Sequence, residues 1–508
     1  MTINLIPFGM RPVRLIVWGL LMLSAAGLRA QASKNVSLIS QLSFPVELND
    51  VWGWADSSGR EYGLVGRTNG VSIVDLANPA QPVVLHDIPG VTSVWRDLKT
   101  WGHHAYVTNE TGNGLLIIDL SGLPGSVSYV DTVLAGVTTA HNAWVDEDGY
   151  LYLCGTNNYN GGVAIYDLNP DPGLPAFVGA YDQRYVHDLF VRGQRAYLGE
   201  ILDGRLTILD VSDRSAPLVI GSQTYPGGFT HNTWLNDAGD ICFTTDELNE
   251  GYLIAWDVSD PEDIREQDRI RSSLSQGRAA PHNVHVLNDF LVTSYYRDGL
   301  HIVDAARPGN LVEVAYYDTS PLAGGGLAGA WGAYPFLPSG RVLVTDMQEG
   351  FFVLDVAYRR GAYLEGQVTD GQTGAPVGQV DLRVLGVEGG ETRSQTSGAY
   401  ALGVADSGSY QLVAQLYGYE TDTLTVDLLP GQLTTQDIVL QPLPRIDLEV
   451  VVREAGSLDP IPGVTVAALV PDTTVGFTFT TGFDGRVIAN RFVINTYSVQ
   501  VGKWGYQT

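Results

Sequence analysis

The sequence predicts an all-β protein, a ring of small sheets followed by two β-sandwiches of which the second is partial. Three observations carry this. A Gly-led apolar run closing on Asp occurs seven times: Gly70–Asp75, Gly114–Asp119, Gly162–Asp167, Gly204–Asp210, Gly251–Asp257, Gly299–Asp304 and Gly350–Asp355. The closing aspartates are spaced 44, 48, 43, 47, 47 and 51 residues apart, and each unit holds several short apolar runs broken by Gly, Pro and Asn. Propeller blades have this length and punctuation. No stretch sustains a helical apolar period, which excludes helical solenoids of similar repeat length. The expectation is a seven-bladed β-propeller over residues 33–357.

At 508 residues the chain is too long for a single core. With 17% charged and 10% aromatic residues it reads as packed β structure rather than a disordered chain. A formal net charge of -27 repels nucleic acid and anionic membrane, suits solubility outside a cell and attracts divalent cations weakly. Residues 1–32 are set apart from the fold. Arg11 and Arg14 precede the apolar run Leu15 to Leu28, and no acidic residue occurs before Glu47. This is the grammar of a secretory signal peptide, with cleavage after Ala30 or Ala32; the run is short for a membrane anchor, the other reading. The mature chain is therefore expected to be extracellular or on the outer cell surface, and not an integral membrane protein. The only two cysteines, Cys154 and Cys242, fall in blades that are not neighbours, so two buried free thiols are expected.

In chain order, residues 36–44 resemble the fourth strand of later units, whereas unit 7 stops near Val356 with three strands. The spacing predicts that 36–44 complete blade 7 and close the ring, removing an exposed sheet edge. Blade 1 is expected to hold strands Val51–Ala55, Tyr62–Gly66, Val71–Asp75 and Val83–Asp87, with turns at Ser58-Gly59, Asn69-Gly70 and Asn78-Pro79. Units 2 to 7 begin near Trp95, Ala140, Val186, Thr230, Pro281 and Gly329. Each repeated Asp is expected to accept bonds from the turn that follows it. After Arg360 the pattern changes. Residues 362–442 and, beyond the stiff Pro442-Leu443-Pro444, residues 446–508 share alternating strands of about five residues, as in small sandwiches. The second copy stops early, so the chain is expected to end inside that domain.

The repeated core, the blade length and the His-Asn blade starts resemble the LVIVD-repeat proteins, specifically the choice-of-anchor B family, over roughly residues 36–357. That resemblance implies an exported bacterial surface or secreted protein. Residues 362–442 look like a carboxypeptidase regulatory-like, transthyretin-like domain and 446–508 like a partial second one. Such modules commonly precede a type IX secretion sorting tail. The resemblance implies location and architecture and brings no defined chemistry.

Chemistry is expected at one end of the channel. Four consecutive blades open with histidine, His141-Asn142, His187-Asp188, His231-Asn232 and His282-Asn283; the matching pairs elsewhere are Asn49-Asp50, Arg96-Asp97 and Ala330-Trp331. First strands line a propeller's channel, and their starts share a face with the turns after the second strands. Those turns carry Asn109-Glu110, Asn157, Glu200, Asp246-Glu247, Tyr295-Tyr296 and Asp346. One reading has His141, His187, His231 and His282 with Glu200 or Asp246 bind a divalent metal ion or a small polar ligand, because imidazole nitrogen and carboxylate oxygen suit zinc, copper or nickel. The other has each His bond to the neighbouring blade and each Asn or Asp cap a turn. His103-His104 lies in a turn and points two ways, while His285 and His301 have apolar neighbours and read as core. Trp52, Trp54, Trp95, Trp101, Trp144 and Trp234 cluster near first strands and read as packing, with carbohydrate stacking as the other role. No nucleophile elbow, phosphate loop, His-Glu-x-x-His or Cys-x-x-Cys occurs. A non-enzymatic propeller presenting a binding face to a protein, glycan or small polar ligand therefore leads, and an enzyme with a histidine-rich metal centre is the alternative.

Overall fold

A computed structural model describes residues 32–508 apart from 323, 472–474 and 506–508. The predicted signal segment, residues 1–32, lies outside the described residues except for Ala32. No helix among the described residues is long and apolar enough to cross a membrane.

Seven antiparallel sheets form the propeller, six of four strands and one of five. The strands of blade 1 are Leu48–Ala55, Glu61–Arg67, Gly70–Asp75 and Val83–Pro89, and those of blade 5 are Thr230–Leu235, Ile241–Asp246, Leu253–Asp257 and Arg265–Ile270. Alternation along the inner strands leaves apolar side chains on both faces of each sheet, and these pack blade to blade in a continuous series. Tyr62, Leu64 and Ile73 of blade 1 meet Ala105, Leu116 and Ile118 of blade 2. Further on, Leu115 and Ile117 meet Leu151 and Tyr166, and the circuit ends where Leu343, Phe351 and Val353 of blade 7 meet Val65 and Val74 of blade 1.

Blade 7 holds Ala330–Tyr334, Val342–Asp346 and Gly350–Val356, and its outer strand is Val36–Leu42, antiparallel to the last of these with Val36 opposite Val356 and Leu42 opposite Phe351. The strand ends two residues short of the expected Phe44. A second clasp was not legible in the sequence: Ser33–Lys34 adds a fifth strand to blade 6, opposite Tyr317 and Tyr316. The ring is thus closed by one segment laid across the outer edges of two adjacent blades.

Six of the repeated aspartates do accept from the turn. The carboxylates of Asp75, Asp119, Asp167, Asp210, Asp257 and Asp304 each take the backbone N–H two residues on, at 2.8–3.1 Å. Asp355 instead lies opposite Ser37 in the clasp. Asp304 has a further task. It is fully buried and also accepts from the Arg360 guanidinium at 2.7 Å, the Gly361 N–H at 2.7 Å and the Tyr363 hydroxyl at 2.5 Å. Arg307 adds a two-pronged pair to Glu365 at 2.9 and 3.0 Å. Blade 6 therefore grips the start of the first sandwich, and Gly361 lies so close to Val312 that an added Cβ would sit 2.8 Å from that side chain.

That sandwich packs the sheet built on Ala362–Asp370 against the sheet of Glu391–Arg393, Asp381–Val384, Gly408–Gln415 and Asp422–Leu428, over a core that includes Leu364, Val380, Leu382, Leu412 and Leu440. In the second, Arg445–Val451 pairs with Arg486–Val493, and Thr465–Leu469 is flanked by Gly476–Thr480 and Ser498–Gly502. Cys154 and Cys242 are buried free thiols.

His301, expected to be a core residue, is buried in blade 6 as half of an ion pair, its Nδ1 2.7 Å from Glu313. Burial opposes the charge, but the carboxylates of Glu313 and Asp298 hold the imidazolium above its ordinary range, and the pair holds Glu313 below its own despite burial. Folded His301 therefore binds its proton more tightly than the unfolded chain does. Its contribution is full below the unfolded value of 6.5 and is lost as pH rises through the folded one. Glu313 sets the acid limit, its contribution being lost as pH falls through its lowered value. His301→Gln is expected to cost about 3–5 kcal/mol near pH 6 and, in calorimetry, to flatten the fall of melting temperature expected of the natural chain as pH rises from 6.5 through the raised folded value of His301.

Candidate functional site: the mouth of the propeller channel

The first strands place side chains in three layers along the channel. The lowest is two residues beyond each Asp/Asn position and holds Trp52, Lys99, Trp144, Phe190, Trp234 and His285; blade 7, which opens with Ala330-Trp331, contributes Tyr334 and, just past its first strand, Phe336. Contacts here join blades that are not neighbours, which is possible only across the axis. Trp144 of blade 3 meets Trp234 of blade 5 at 5.0 Å edge-on, Trp234 stacks on Phe336 of blade 7 at 5.5 Å, and Trp52 of blade 1 reaches His285 of blade 6 at 6.4 Å between ring centroids. Each such aromatic pair adds about 0.5–1.5 kcal/mol beyond burial. The channel is filled at this level. Trp52, Trp144 and Trp234 thus pack, as expected, while Trp95 stands 44% exposed at the mouth.

Above the aromatics lies a polar layer of Asp50, Asp97, Asn142, Asp188, Asn232 and Asn283, all buried. These are the second members of the blade-opening pairs, and they lace the blades together. Asp97 accepts the Ala143 N–H at 2.9 Å, the Asn232 amide donates to Asp188 at 2.6 Å, and Asn232 accepts the Val284 N–H at 2.9 Å. Lys99 reaches into the layer from below, donating to both oxygens of Asp97 at 2.6 and 2.8 Å. Three carboxyls share it. Burial, with the charge of Asp97, pushes Asp188 up to about 7 and Asp50 well above the usual carboxylate range. Lys99 was missed in the sequence; the signal was a basic residue where other blades place an aromatic ring.

The uppermost layer is the histidine arc. Ring centroids of His141 and His187, His187 and His231, and His231 and His282 are 4.0, 4.2 and 4.5 Å apart. A hydroxyl or thiol on the preceding blade's second strand fixes the backbone of three of them: Thr108 donates to the His141 carbonyl, Cys154 to that of His187 and Thr245 to that of His282. In blade 4 the equivalent position is Gly199, where a Cβ would lie 2.7 Å from the His231 carbonyl. The rings are oriented as well. The Nδ1–H of His187 donates to the His231 carbonyl at 3.2 Å and that of His282 to the Trp331 carbonyl at 2.7 Å, while His141 Nδ1 lies 2.6 Å from Glu110. A carbonyl only accepts, so Nδ1 carries the proton in His187 and His282, and Nε2 keeps its lone pair. Burial holds His187 and His231 well below the usual imidazole range and His282 down to about 3, so these rings are neutral. His187 and His282 thus bond to a neighbouring blade's carbonyl through Nδ1 and His141 to Glu110, whereas His231 Nδ1 has no hydrogen-bond partner among the described residues.

The acidic partners differ from those expected. Glu200 is turned into its own blade, accepting from Tyr181 at 2.8 Å and Thr207 at 2.9 Å. Asp246 is likewise taken by Tyr225 at 2.5 Å and the Phe229 N–H at 2.8 Å. Besides Glu110 on His141, the carboxylate that meets the arc is Glu247, one residue on from Asp246 and facing the other way, as alternation requires. Its oxygens lie 3.6 Å from His231 Nε2 and 3.9 Å from His282 Nε2, and Tyr296 donates to it at 2.5 Å. One donor atom each from His187, His231 and Glu247 fall within 4.8 Å of one another. Between the arc and the polar layer is a void of about 20 Å³ bordered by His141, His231, His282, Asp50, Asp97, Asn142, Asn283, Trp95, Arg96 and Trp331. A single water needs about 10–15 Å³ on this measure, so the void takes one ion or water and no organic molecule.

Comparison with known proteins bears on the repeats and on the first sandwich. Residues 60–87, 95–128 and 183–224 match the LVIVD repeat. Residues 363–441 match the carboxypeptidase regulatory-like domain. No curated protein matches the chain in sequence. Among solved structures, the β-propeller domain of Cps50 (Swd1) from Myceliophteria thermophila is similar at 12% identity and a TM-score of 0.46, over 64% of this chain and all of that one.

Lys99→Met keeps the length of the side chain and removes the charge shared by Asp50, Asp97 and Asp188. Loss of one partner of a buried pair is expected to lower stability by about 3–5 kcal/mol in urea denaturation. Lys99→Arg is expected to recover only part of that, because a longer side chain with a planar guanidinium must enter the buried space of a compact ammonium 4.5 Å from the Trp52 centroid.

Proposed function

We propose that this chain is an exported bacterial propeller, displayed at or released from the cell surface, whose role is to bind a small cationic ligand in the mouth of a channel filled farther in by aromatic side chains. One observation carries the binding reading. The imidazoles of His231 and His282, which Glu247 approaches at 3.6 and 3.9 Å, border a void of about 20 Å³, which suits an ion and excludes a sugar ring or peptide side chain. Net charge favours cations: the protein carries -27 overall. Export is supported by Arg11, Arg14, the apolar run Leu15 to Leu28 and the Ala30-Gln31-Ala32 site. Placement on the choice-of-anchor B branch of the repeat family belongs to the same reading.

Two measurements test it. Expressed with its own N-terminus in a Gram-negative host, the protein is expected outside the cytoplasm with Gln31 or Ser33 as first residue; a cytoplasmic product starting at Met1 would defeat the export half. For the binding half, the melting temperature is measured with metal chlorides, monosaccharides and short peptides. A ligand at a hundred times its Kd stabilises by about 2.7 kcal/mol. Stabilisation by one or more cations is expected. Stabilisation by sugar or peptide alone would overturn the reading.

A further inference from the structure

We propose that the cationic ligand is a divalent transition-metal ion of the zinc class, held by imidazole nitrogens of His187 and His231 and a carboxylate oxygen of Glu247, with His282 beside them as fourth donor. This rests on the mouth being a cation site and names its occupant. Distances come first. His231 Nε2 and His282 Nε2 stand 3.6 and 3.9 Å from the Glu247 oxygens, too far for hydrogen bonds. Tetrahedral zinc, with bonds of about 2.0–2.1 Å, sets its donors roughly 3.4 Å apart. The two Glu247 contacts are close to that spacing, and with His187 the set closes within 4.8 Å, so side-chain rotation must draw the donors in around an ion.

The surroundings are those of a ligand set. His187 and His282 donate through Nδ1 to backbone carbonyls, which fixes the tautomer with Nε2 free for a metal. Tyr296 orients Glu247, and Cys154 and Thr245 hold the carbonyls of His187 and His282 in place. In His231 and His282 Nε2 meets only a carboxylate beyond bonding distance, and His231 Nδ1 has no hydrogen-bond partner among the described residues. Donor chemistry then selects the ion. Calcium and magnesium require oxygen ligands, whereas imidazole with one carboxylate suits zinc, nickel or copper. The polar layer offers the competing site. Asp50 Oδ1 and Asn283 Oδ1 are buried without a hydrogen-bond partner among the described residues and border the same void, where a calcium-class ion would be held by oxygen alone.

The test uses the full secreted chain, stripped with chelator and dialysed, then titrated with zinc, cobalt(II) and calcium chlorides and assayed for bound metal. Expected are one equivalent of zinc, an intense visible cobalt(II) spectrum typical of tetrahedral coordination, and at least tenfold weaker zinc binding in both Glu247→Gln and His187→Gln. These near-isosteric variants are checked for native circular dichroism; should one fail to fold, the cobalt(II) spectrum of the unaltered chain decides, because a spectrum typical of six oxygen ligands overturns the proposal. Zinc affinity unchanged in both variants also overturns it. So does one equivalent of calcium, lost in Asp50→Asn, without zinc binding; that result leaves the mouth a cation site and moves the ion to the polar layer. No binding of any of the three ions defeats this inference and the cation-site reading together.

Discussion

Everything at the channel mouth depends on the pairing of Val36–Leu42 with Gly350–Val356, because a propeller holds its axis only when the ring is complete. Each blade buries its faces against two neighbours, and no blade can do so alone. If the last sheet lacked its outer strand, blade 7 would expose an unpaired edge, and its contact with blade 1 through Phe351, Leu343 and Val65 would lose its support. The additional pairing of Ser33–Lys34 with blade 6 spreads the closure over two sheets. Once the circle is fixed, the spacing of first strands around the axis is fixed too, and side chains far apart in sequence come within 4–5 Å.

The three layers of the axis follow from what each can tolerate. Aromatic rings fill the space at the lowest level and exclude water, with Lys99 laid over Trp52. Polar groups directly above are shielded from solvent on that side, so each needs a partner. Backbone N–H groups, the Asn232 amide and Lys99 supply most of these, and the carboxyls left short of positive charge are held towards their neutral form. At the top, burial keeps the imidazoles of His187, His231 and His282 neutral, which is the protonation state that a metal ion requires. A structural role for Nδ1 and a binding role for Nε2 are thus compatible in one ring, and the first prepares the second.

The repeat also shows how a local device is reused. An aspartate that closes a turn in six blades becomes, at Asp304, the buried acceptor for Arg360, Gly361 and Tyr363. The carboxylate can do both because its turn needs only part of its capacity as an acceptor. The consequence is a sandwich gripped by blade 6 at its first strand rather than tethered by a free linker.

The sequence by itself determined the number of blades, their strands, the clasp from the N-terminal side, the turn role of the repeated aspartate and the two sandwiches, because each is written in local periodicity or in similarity between segments. It also placed four histidines at equivalent blade starts. Only the tertiary structure decided which carboxylates join them. Asp246 and Glu247 are adjacent and equally acidic, and which of them faces the axis depends on the strand's last pleat and the turn after it, so Glu247 and Glu110 replace Asp246 and Glu200 at the arc. The same holds for Lys99 and His285, whose polar character suggested nothing of a shared layer. Such residues meet across an axis that exists only when all seven sheets are assembled, and no window of sequence contains it.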